Sequence, residues 1–332
     1  MRLRGTLSLL PLIGYRLLQR ARLAGDEQGG LARFESSERR RLEAGFLAEQ
    51  TMPSWLGREG AGRLWLRPAS ARRWARRSCS PEDQAWAEAV VAGRWSLLGA
   101  AESVGSPPAW RRDLYSGVEW PLERSSQIPL VRGDGSDIRT VWELSRSYHF
   151  VVLAKAFWRT GEARFARTFR EHVESWLETN PVGRGPNWRS PMDAAIRAAN
   201  WVIATSLFAE AENLPSEFWS RLLANLRVTA HFVDRHLEWH PLYRGNHFIS
   251  NAVGLVYVGA LFREDPAGRR WLARGARILR REMELQVSQD GVSCEAALGY
   301  HRLVTEFFSY GGAVCERNGH PLPAAYWNRL RA

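Results

Sequence analysis

The pattern of hydrophobic and polar positions from about residue 110 onward is that of consecutive amphipathic helices. Apolar residues recur there every three or four positions, and the alternation that marks a β-strand is almost absent. Glycine, proline and asparagine occur between these helical segments, where helices are expected to end. The pattern predicts helices over 143–160, 163–179, 190–211, 215–240, 249–263, 267–287 and 292–318.

Helices that follow one another through short loops pack as antiparallel hairpins. Such hairpins build either a solenoid or a closed ring, and the chain lacks the tight internal repeat of a solenoid. We therefore expect an all-α fold, an (α/α) toroid of helix hairpins.

Residues 1–105 have a different sequence pattern from the rest of the chain. Arginine-rich helical stretches alternate there with clusters of glycine, serine and proline. We expect them to precede a toroid domain at 106–332. Residues 1–23 carry five arginines and no acid around a short apolar run, without a clear cleavage site. This favours a basic amphipathic helix over a signal peptide, and a cytoplasmic over a periplasmic location. No stretch approaches the ~20 apolar residues of a membrane span.

Charge and tryptophan content narrow the class of partner. The formal net charge of +11 favours an anionic partner. All basic residues except Lys155 are arginine, which together with the abundant alanine is typical of a GC-rich genome. The 16 tryptophans either fill the core or stack on sugar faces or nucleobases. The basic residues are dispersed and form no recognition motif, so we expect no nucleic-acid partner.

The cysteines indicate neither a disulfide framework nor a zinc site. Cys79, Cys294 and Cys315 have neither paired nor CxxC spacing.

The stretch 243–251 carries the strongest chemical signal. It places Arg244, Asn246 and His247 directly before the apolar run 252–261, where a helix begins and backbone N–H groups lack partners. Such a position suits a bound anion. The alternative, which this stretch alone supports equally, is that Asn246 caps the helix and His247 is a hydrogen-bonded core residue.

Polar residues gather at other helix starts as well. In the helix that begins near Ser190, one face carries Asp193, Arg197, Asn200 and Trp201. This stripe suits a charged sugar, but an Asp/Arg pair on a solvated face would look the same.

Two further helix starts carry similar residue types. Residues 137–146 include Arg139 and Arg146, and the turn at Asp290 leads to a segment that includes Glu295, Tyr300 and His301. A buried tyrosine that donates to a backbone carbonyl is the alternative for Tyr300.

In this order, the segments 137–146, 187–201, 245–247 and 295–301 resemble the successive motifs of the heparinase II/III family of polysaccharide lyases. The resemblance covers roughly residues 110–320. It implies an incomplete (α/α) toroid followed in the family by an antiparallel β-sandwich, which supplies a further catalytic histidine. We expect that sandwich to be absent here, or to belong to a separate domain or chain.

The resemblance assigns roles to particular residues. Asn246 and His247 would neutralise a uronate carboxylate, and Tyr300 would serve as acid and base. Substrate-binding roles fall on Arg139, Arg146, Asn187, Trp188, Asp193, Arg197, Asn200, Trp201, Arg244, Glu295 and His301. The sequence departs from the family pattern at Gly245, Asp193 and Ala297, where asparagine, glutamate and serine are more usual.

These residue types suit β-elimination on an anionic polysaccharide of the heparan sulfate kind. The proton on C5 of a uronate becomes acidic only when donors neutralise the neighbouring carboxylate. A tyrosine hydroxyl ordinarily has a pKa of about 10, so it needs nearby cations to act as the base. This reaction requires neither metal nor cofactor.

Other functions remain open at this point. A toroid that binds a polyanion without cleaving it would keep the same residues. A glycoside hydrolase would need two carboxylates, for which Asp193, Asp290 and Glu295 are candidates, but it would have no role for the Asn/His and Tyr motifs.

Overall fold

The computed structural model describes residues 29–49, 68–99, 103–241 and 243–332. Within these ranges the regular structure is helical, with isolated β-bridges and no strand, which confirms the all-α prediction. The α-helices are α1 (Leu31–Glu49), α2 (Pro68–Ser78), α3 (Pro81–Val91), α4 (Ile138–Ser145), α5 (His149–Thr160), α6 (Ala163–Thr179), α7 (Pro191–Phe208), α8 (Ser216–Arg235), α9 (Asn246–Leu261), α10 (Pro266–Gln286), α11 (Leu298–Arg317) and α12 (Ala324–Arg331). Short 3₁₀ helices lie at Ser125–Gln127 and Pro186–Trp188.

Local signals in the sequence set several helix ends. The hydroxyl of Ser190 accepts a hydrogen bond from the backbone N–H of Asp193 at 3.2 Å, and Pro191 occupies the first position of α7. Asp265 caps α10 through its carboxylate. Gly161 ends α5 with a φ of 79°, a conformation that glycine adopts without steric cost.

The structure corrects two of the predicted helices. The stretch 143–160 is divided between α4 and α5, because Ser147 has a φ of 61° and its hydroxyl receives a hydrogen bond from the indole of Trp201. The helix predicted from residue 292 begins only at Leu298. Residues before it are held in a turn by a bridge between Val287 and Ser293.

Two almost fully buried helices, α7 and α9, pack against each other at the centre of the molecule. At their crossing Gly254 allows close approach, since a Cβ there would lie 2.7 Å from the Cβ of Ala195. His247, at the start of α9, interacts electrostatically with Asp193, at the start of α7. The N-terminal ends of the two central helices therefore lie on the same side, which is where the candidate site forms.

The N-terminal helices share the hydrophobic core with the rest of the chain. Helix α1 packs on α8, and α2 and α3 pack on α5. The predicted division at residue 105 stays a prediction, and the predicted basic helix at residues 1–23 lies outside the described residues. No described helix is long and apolar enough to cross a membrane.

Candidate functional site

A cleft of about 670 Å³ opens between the first turns of α11 and the junction of α4 with α5. We call it the Tyr300 cleft, because the half-exposed ring of Tyr300 lies in it. Its lining includes Glu143, Arg146 and Tyr148 from the junction. Trp86 and Trp95 add aromatic surface. The cleft thus combines a phenol, a guanidinium, a carboxylate and two indoles.

The junction between α4 and α5 holds Arg146 in place. Its Nε lies 2.8 Å from Asp193 Oδ1, and its guanidinium also pairs with Glu143. Asn200 Nδ2 donates to the Arg146 carbonyl at 2.7 Å. Burial raises the pKa of both Glu143 and Tyr148. Asp193 and Asn200, expected to bind substrate, instead position Arg146 at the cleft wall.

At the start of α9, the Asn246 amide is occupied by a carboxylate of the protein itself. Asn246 Nδ2 lies 3.0 Å and 2.8 Å from the two carboxylate oxygens of Glu295, and the Asn246 backbone N–H also donates to Glu295. Asn246 Oδ1 is buried without a hydrogen-bond partner. The donors expected to neutralise a uronate carboxylate therefore already bind an anion of the same chemical type.

The same contact explains the departure from the family pattern at Gly245. A Cβ at this position would lie 2.6 Å from Glu295 Oε1, well inside van der Waals contact. Glycine leaves the space that this carboxylate occupies, and its φ of −174° is extended, so the backbone conformation does not require glycine. The missing side chain lets Glu295 reach the first N–H of the helix.

His247 is a candidate cation next to this contact. Its Nδ1 lies 2.8 Å from Glu238 Oε1, and Asn251 Nδ2 holds the other oxygen of Glu238 at 3.0 Å. The hydrogen bond to Glu238 raises the pKa of His247, and the charges of Glu238, Asp193 and Glu295 act in the same direction. Protonated imidazole is thereby favoured beside the Asn246 amide.

Arg139 is a second exposed cation, paired with Asp137. The hydrogen bond to Asp137 raises the pKa of Arg139, with a smaller contribution from the Tyr300 side chain. The ion pair with Asp137 holds the Arg139 guanidinium on the same side of the molecule as Tyr300.

The structure encloses four of the expected substrate-binding residues. Asn187, Trp188, Arg197 and Trp201 are each about 1% exposed or less, so the prediction that they contact substrate is not supported by their position. A helical stripe of polar residues does not reveal whether it faces a ligand or the core.

Arg197 shows what this buried stripe does instead. Its guanidinium lies 4.2 Å from the ring centre of Trp176 and 5.3 Å from that of Trp188, and it donates to the Asn187 carbonyl at 3.1 Å. Burial lowers the pKa of Arg197 to about 9. Arg197 therefore fills the space between the indoles of Trp176 and Trp188 beneath the site, with its guanidinium over both rings.

Two further candidates point away from the cleft. Arg244 lies 2.6 Å from the buried carboxylate of Glu282, which limits it to a structural ion pair in this conformation. His301, next to Tyr300, lines a separate small cavity with Phe308 and Leu330. Neither side chain lines the Tyr300 cleft.

Sequence reasoning missed several residues of the site. Trp86 and Trp95 lie in the N-terminal region, which carries no recognisable motif, and only the fold brings them to the cleft. Glu238 lies just beyond the end of α8, and no local sequence pattern marks it as a partner of His247. Tyr148 could have been found from the polar break that separates α4 from α5. Among the described residues, no group of three or more His, Cys, Asp or Glu could hold a metal ion.

A family model described as "Heparinase II/III N-terminus" matches residues 114–332. A heparin-sulfate lyase of Bacteroides thetaiotaomicron is 27% identical over 194 residues, which cover 57% of this chain and 27% of that protein. The heparin-sulfate lyase of Pedobacter heparinus is 26% identical over 192 residues, covering 56% of this chain and 28% of that protein. The chain thus matches little more than a quarter of the length of these relatives.

Solved structures show the same helical architecture. The heparan sulfate lyase HepC from Pedobacter heparinus aligns with a TM-score of 0.61 at 19% identity, covering 84% of this chain and 41% of that one. A heparinase III structure aligns with a TM-score of 0.57 at 20% identity, covering 80% of this chain and 41% of that one. At this level of identity the likeness establishes the fold.

Proposed function

Because the chain belongs to the heparinase II/III family through that family's N-terminal domain, we propose that it forms the toroid part of a polysaccharide lyase. Its substrate would be a uronate-containing anionic polysaccharide, with heparan sulfate or heparin ahead of alginate-like polymers. The observation that supports this proposal is a series of contacts that connects the lining of the Tyr300 cleft with the starts of α7 and α9; Asn246 and His247 themselves lie outside that lining. Arg146 in the cleft pairs with Asp193, which interacts with His247, and Glu295 ties Asn246 to the segment that leads to Tyr300.

In the proposed reaction the uronate carboxylate binds at the start of α9. His247 and the Asn246 amide neutralise its charge, after the substrate carboxylate has replaced that of Glu295. Tyr300, as phenolate, removes the proton from C5, and the electron pair forms the C4–C5 double bond while the bond from C4 to the bridging oxygen breaks. A proton delivered to that oxygen by Tyr300 completes the step. The products are an unsaturated uronate end and a new reducing end.

The competing function is binding of the polysaccharide without cleavage. It is favoured by one observation, the occupation of the Asn246 amide by Glu295, which leaves those donors unavailable in the free protein. The two functions predict the same ligand and differ in whether a product appears.

The test is the ultraviolet absorbance of the unsaturated uronate, measured with heparan sulfate, heparin, chondroitin sulfate, hyaluronan and alginate. Tyr300→Phe should lower the rate by a factor of about 10²–10⁴, the usual contribution of a positioned acid or base. Asn246→Ala should lower it by a comparable factor, since one donor to the developing charge is lost. Tyr310→Phe, on the same helix and half exposed, is the matched control and should retain the rate.

The outcomes separate the alternatives. A product signal that survives Tyr300→Phe would refute the assigned role of Tyr300. Binding to a polymer without any product would favour the non-catalytic toroid.

A further inference from the structure

A second concave surface lies outside the Tyr300 cleft. It has a volume of about 740 Å³ and is formed by α2 and the C-terminal end of α5. We call it the arginine groove, and its lining consists of Arg72, Arg73, Arg76, Arg77, Trp158 and Arg159.

The sequence of α2 produces this surface directly. Ala71 and Ala75 are at most 1% exposed and pack the helix onto α5 and α7. The four arginines of α2 lie on the opposite side of the helix. They are Arg72 and Arg73, followed four residues later by Arg76 and Arg77, so their side chains form two rows along the helix axis. Small inward residues bring α2 close to the core, while the long outward ones build the walls of the groove.

Trp158 gives the groove a fixed aromatic side. Its indole Nε1 donates to the Leu207 carbonyl at 2.8 Å, which holds the ring in place. The guanidinium of Arg72 lies 5.5 Å from the ring centre. Such a ring offers an apolar face for a sugar next to the cations that would hold its charged groups.

Most of the positive charge in the groove is not neutralised. Arg72 lies 3.4 Å from Glu210, and the neighbouring Lys155 pairs with Asp83 at 3.0 Å. Within the described part of the chain, no ion pair is formed by Arg73, Arg76, Arg77 or Arg159. Guanidinium groups at this density repel one another, and a bound polyanion would relieve the repulsion.

The groove is separate from the Tyr300 cleft. Helix α5 begins at the cleft with His149 and reaches the groove with Trp158. At 1.5 Å per residue, these positions are about 14 Å apart along the helix axis. A disaccharide in the cleft would not reach the groove, whereas a long chain could contact both.

We propose that the arginine groove is a second binding surface for the sulfated polysaccharide, distinct from the site of cleavage. The planar fork of a guanidinium matches the oxygens of sulfate and carboxylate groups. A polymer with repeating anions can pair with successive arginines of the double row. Its attachment there raises the local concentration of the same chain at the cleft. The choice of polymer rests on the proposed function, but the existence of the anion-binding groove does not.

The experiment compares two triple variants of the full chain with the same change in net charge. Arg73→Gln/Arg76→Gln/Arg77→Gln alters the groove, and Arg270→Gln/Arg277→Gln/Arg281→Gln removes three exposed arginines from α10 as the control. Glutamine is a good helix former, so both helices should persist, which circular dichroism checks. Binding of long heparan sulfate chains and of a disaccharide is then measured over a range of NaCl concentrations.

For long chains, the groove variant should bind at least about tenfold more weakly, because three cationic contacts with the polymer are lost. The slope of log Kd against log salt should fall by about two to three, by analogy with other linear polyanions. Disaccharide binding should weaken much less, because a ligand too short to span both surfaces gains nothing from the second one. The control variant should retain most of the affinity and the slope.

Equal losses in the control and groove variants would overturn the proposal, because net charge alone would then explain binding. Equal or tighter binding of duplex DNA that depends on the same three arginines would also overturn the polysaccharide assignment. Because binding is measured without turnover, failure of the lyase reaction would leave this test intact. If the lyase is active, the groove variant should show a raised KM for the polymer and an unchanged kcat.

Discussion

A buried pair of histidines beside the Tyr300 cleft should make the fold sensitive to mild acid. His149 and His172 are at most 1% exposed, and His149 Nε2 lies 3.2 Å from His172 Nδ1. The other ring nitrogen of His172 lies 3.0 Å from the hydroxyl of Ser106. Burial lowers the pKa of His172 to about 3 and that of His149 well below 6.5. Both rings are therefore neutral in the folded protein.

The direction and size of the effect follow from these values. Because each pKa is lower in the folded than in the unfolded chain, the contribution to stability is complete above pH 6.5 and declines as the pH falls towards the folded values. Between about pH 7 and pH 5, each histidine should remove about 2 kcal/mol from the free energy of unfolding. The pair should therefore remove about 4 kcal/mol, a large part of the 5–15 kcal/mol of a typical domain.

Other titrating groups act in different ways over this range. Hydrogen bonds from Ser136 and Arg139 lower the pKa values of Asp134 and Asp137 below 3.8, so these carboxylates act only at lower pH. The raised pKa of His247, caused by its hydrogen bond to Glu238, adds some stability as the pH falls and partly offsets the loss.

The assay is urea unfolding followed by circular dichroism at several pH values between about 7 and 5. His172→Gln removes one of the two proton uptakes, so its stability should depend on pH about half as steeply as that of the wild type. His320→Gln, a histidine outside the pair, should keep the wild-type slope. Equal slopes in His172→Gln and wild type, or no loss of stability down to pH 5, would refute the reasoning.

Two further substitutions test the packing around the site. Gly245→Ala would place a Cβ 2.6 Å from Glu295 Oε1 and displace this flexible side chain from Asn246, so the free energy of unfolding in urea should fall by no more than about 1 kcal/mol. In combination with Glu295→Ala the loss should largely vanish, and an undiminished loss would contradict the steric explanation. Arg197→Ala should lower the free energy of unfolding by about 3–5 kcal/mol, because it opens a cavity between Trp176 and Trp188. Arg197→Met keeps most of the side-chain volume and buries no charge, so it should lower the free energy of unfolding much less. Equal losses in the two variants would mean that the cation, rather than the packing volume, stabilises this layer.

The sequence by itself determined the helical class and much of the local structure. The apolar spacing predicted most of the helices, and the helix start near Ser190 could be recognised because a cap hydrogen bond spans only a few residues. Local sequence also placed Asn246 and His247 at the start of a buried helix. The exposed position of Tyr300 near the start of α11 was not decided by sequence, since a buried tyrosine fitted the same pattern.

Only the tertiary structure decided which polar residues face the cleft. Trp201 breaks the predicted helix at Ser147 from 54 positions away in sequence, and Glu295 occupies Asn246 from 49 positions away. Arg197 is enclosed by aromatic rings although its helical spacing matches that of a ligand-binding stripe. Periodicity fixes which side chains share a face of a helix, but whether that face meets core or solvent depends on the neighbouring helices, whose positions result from packing over the whole chain.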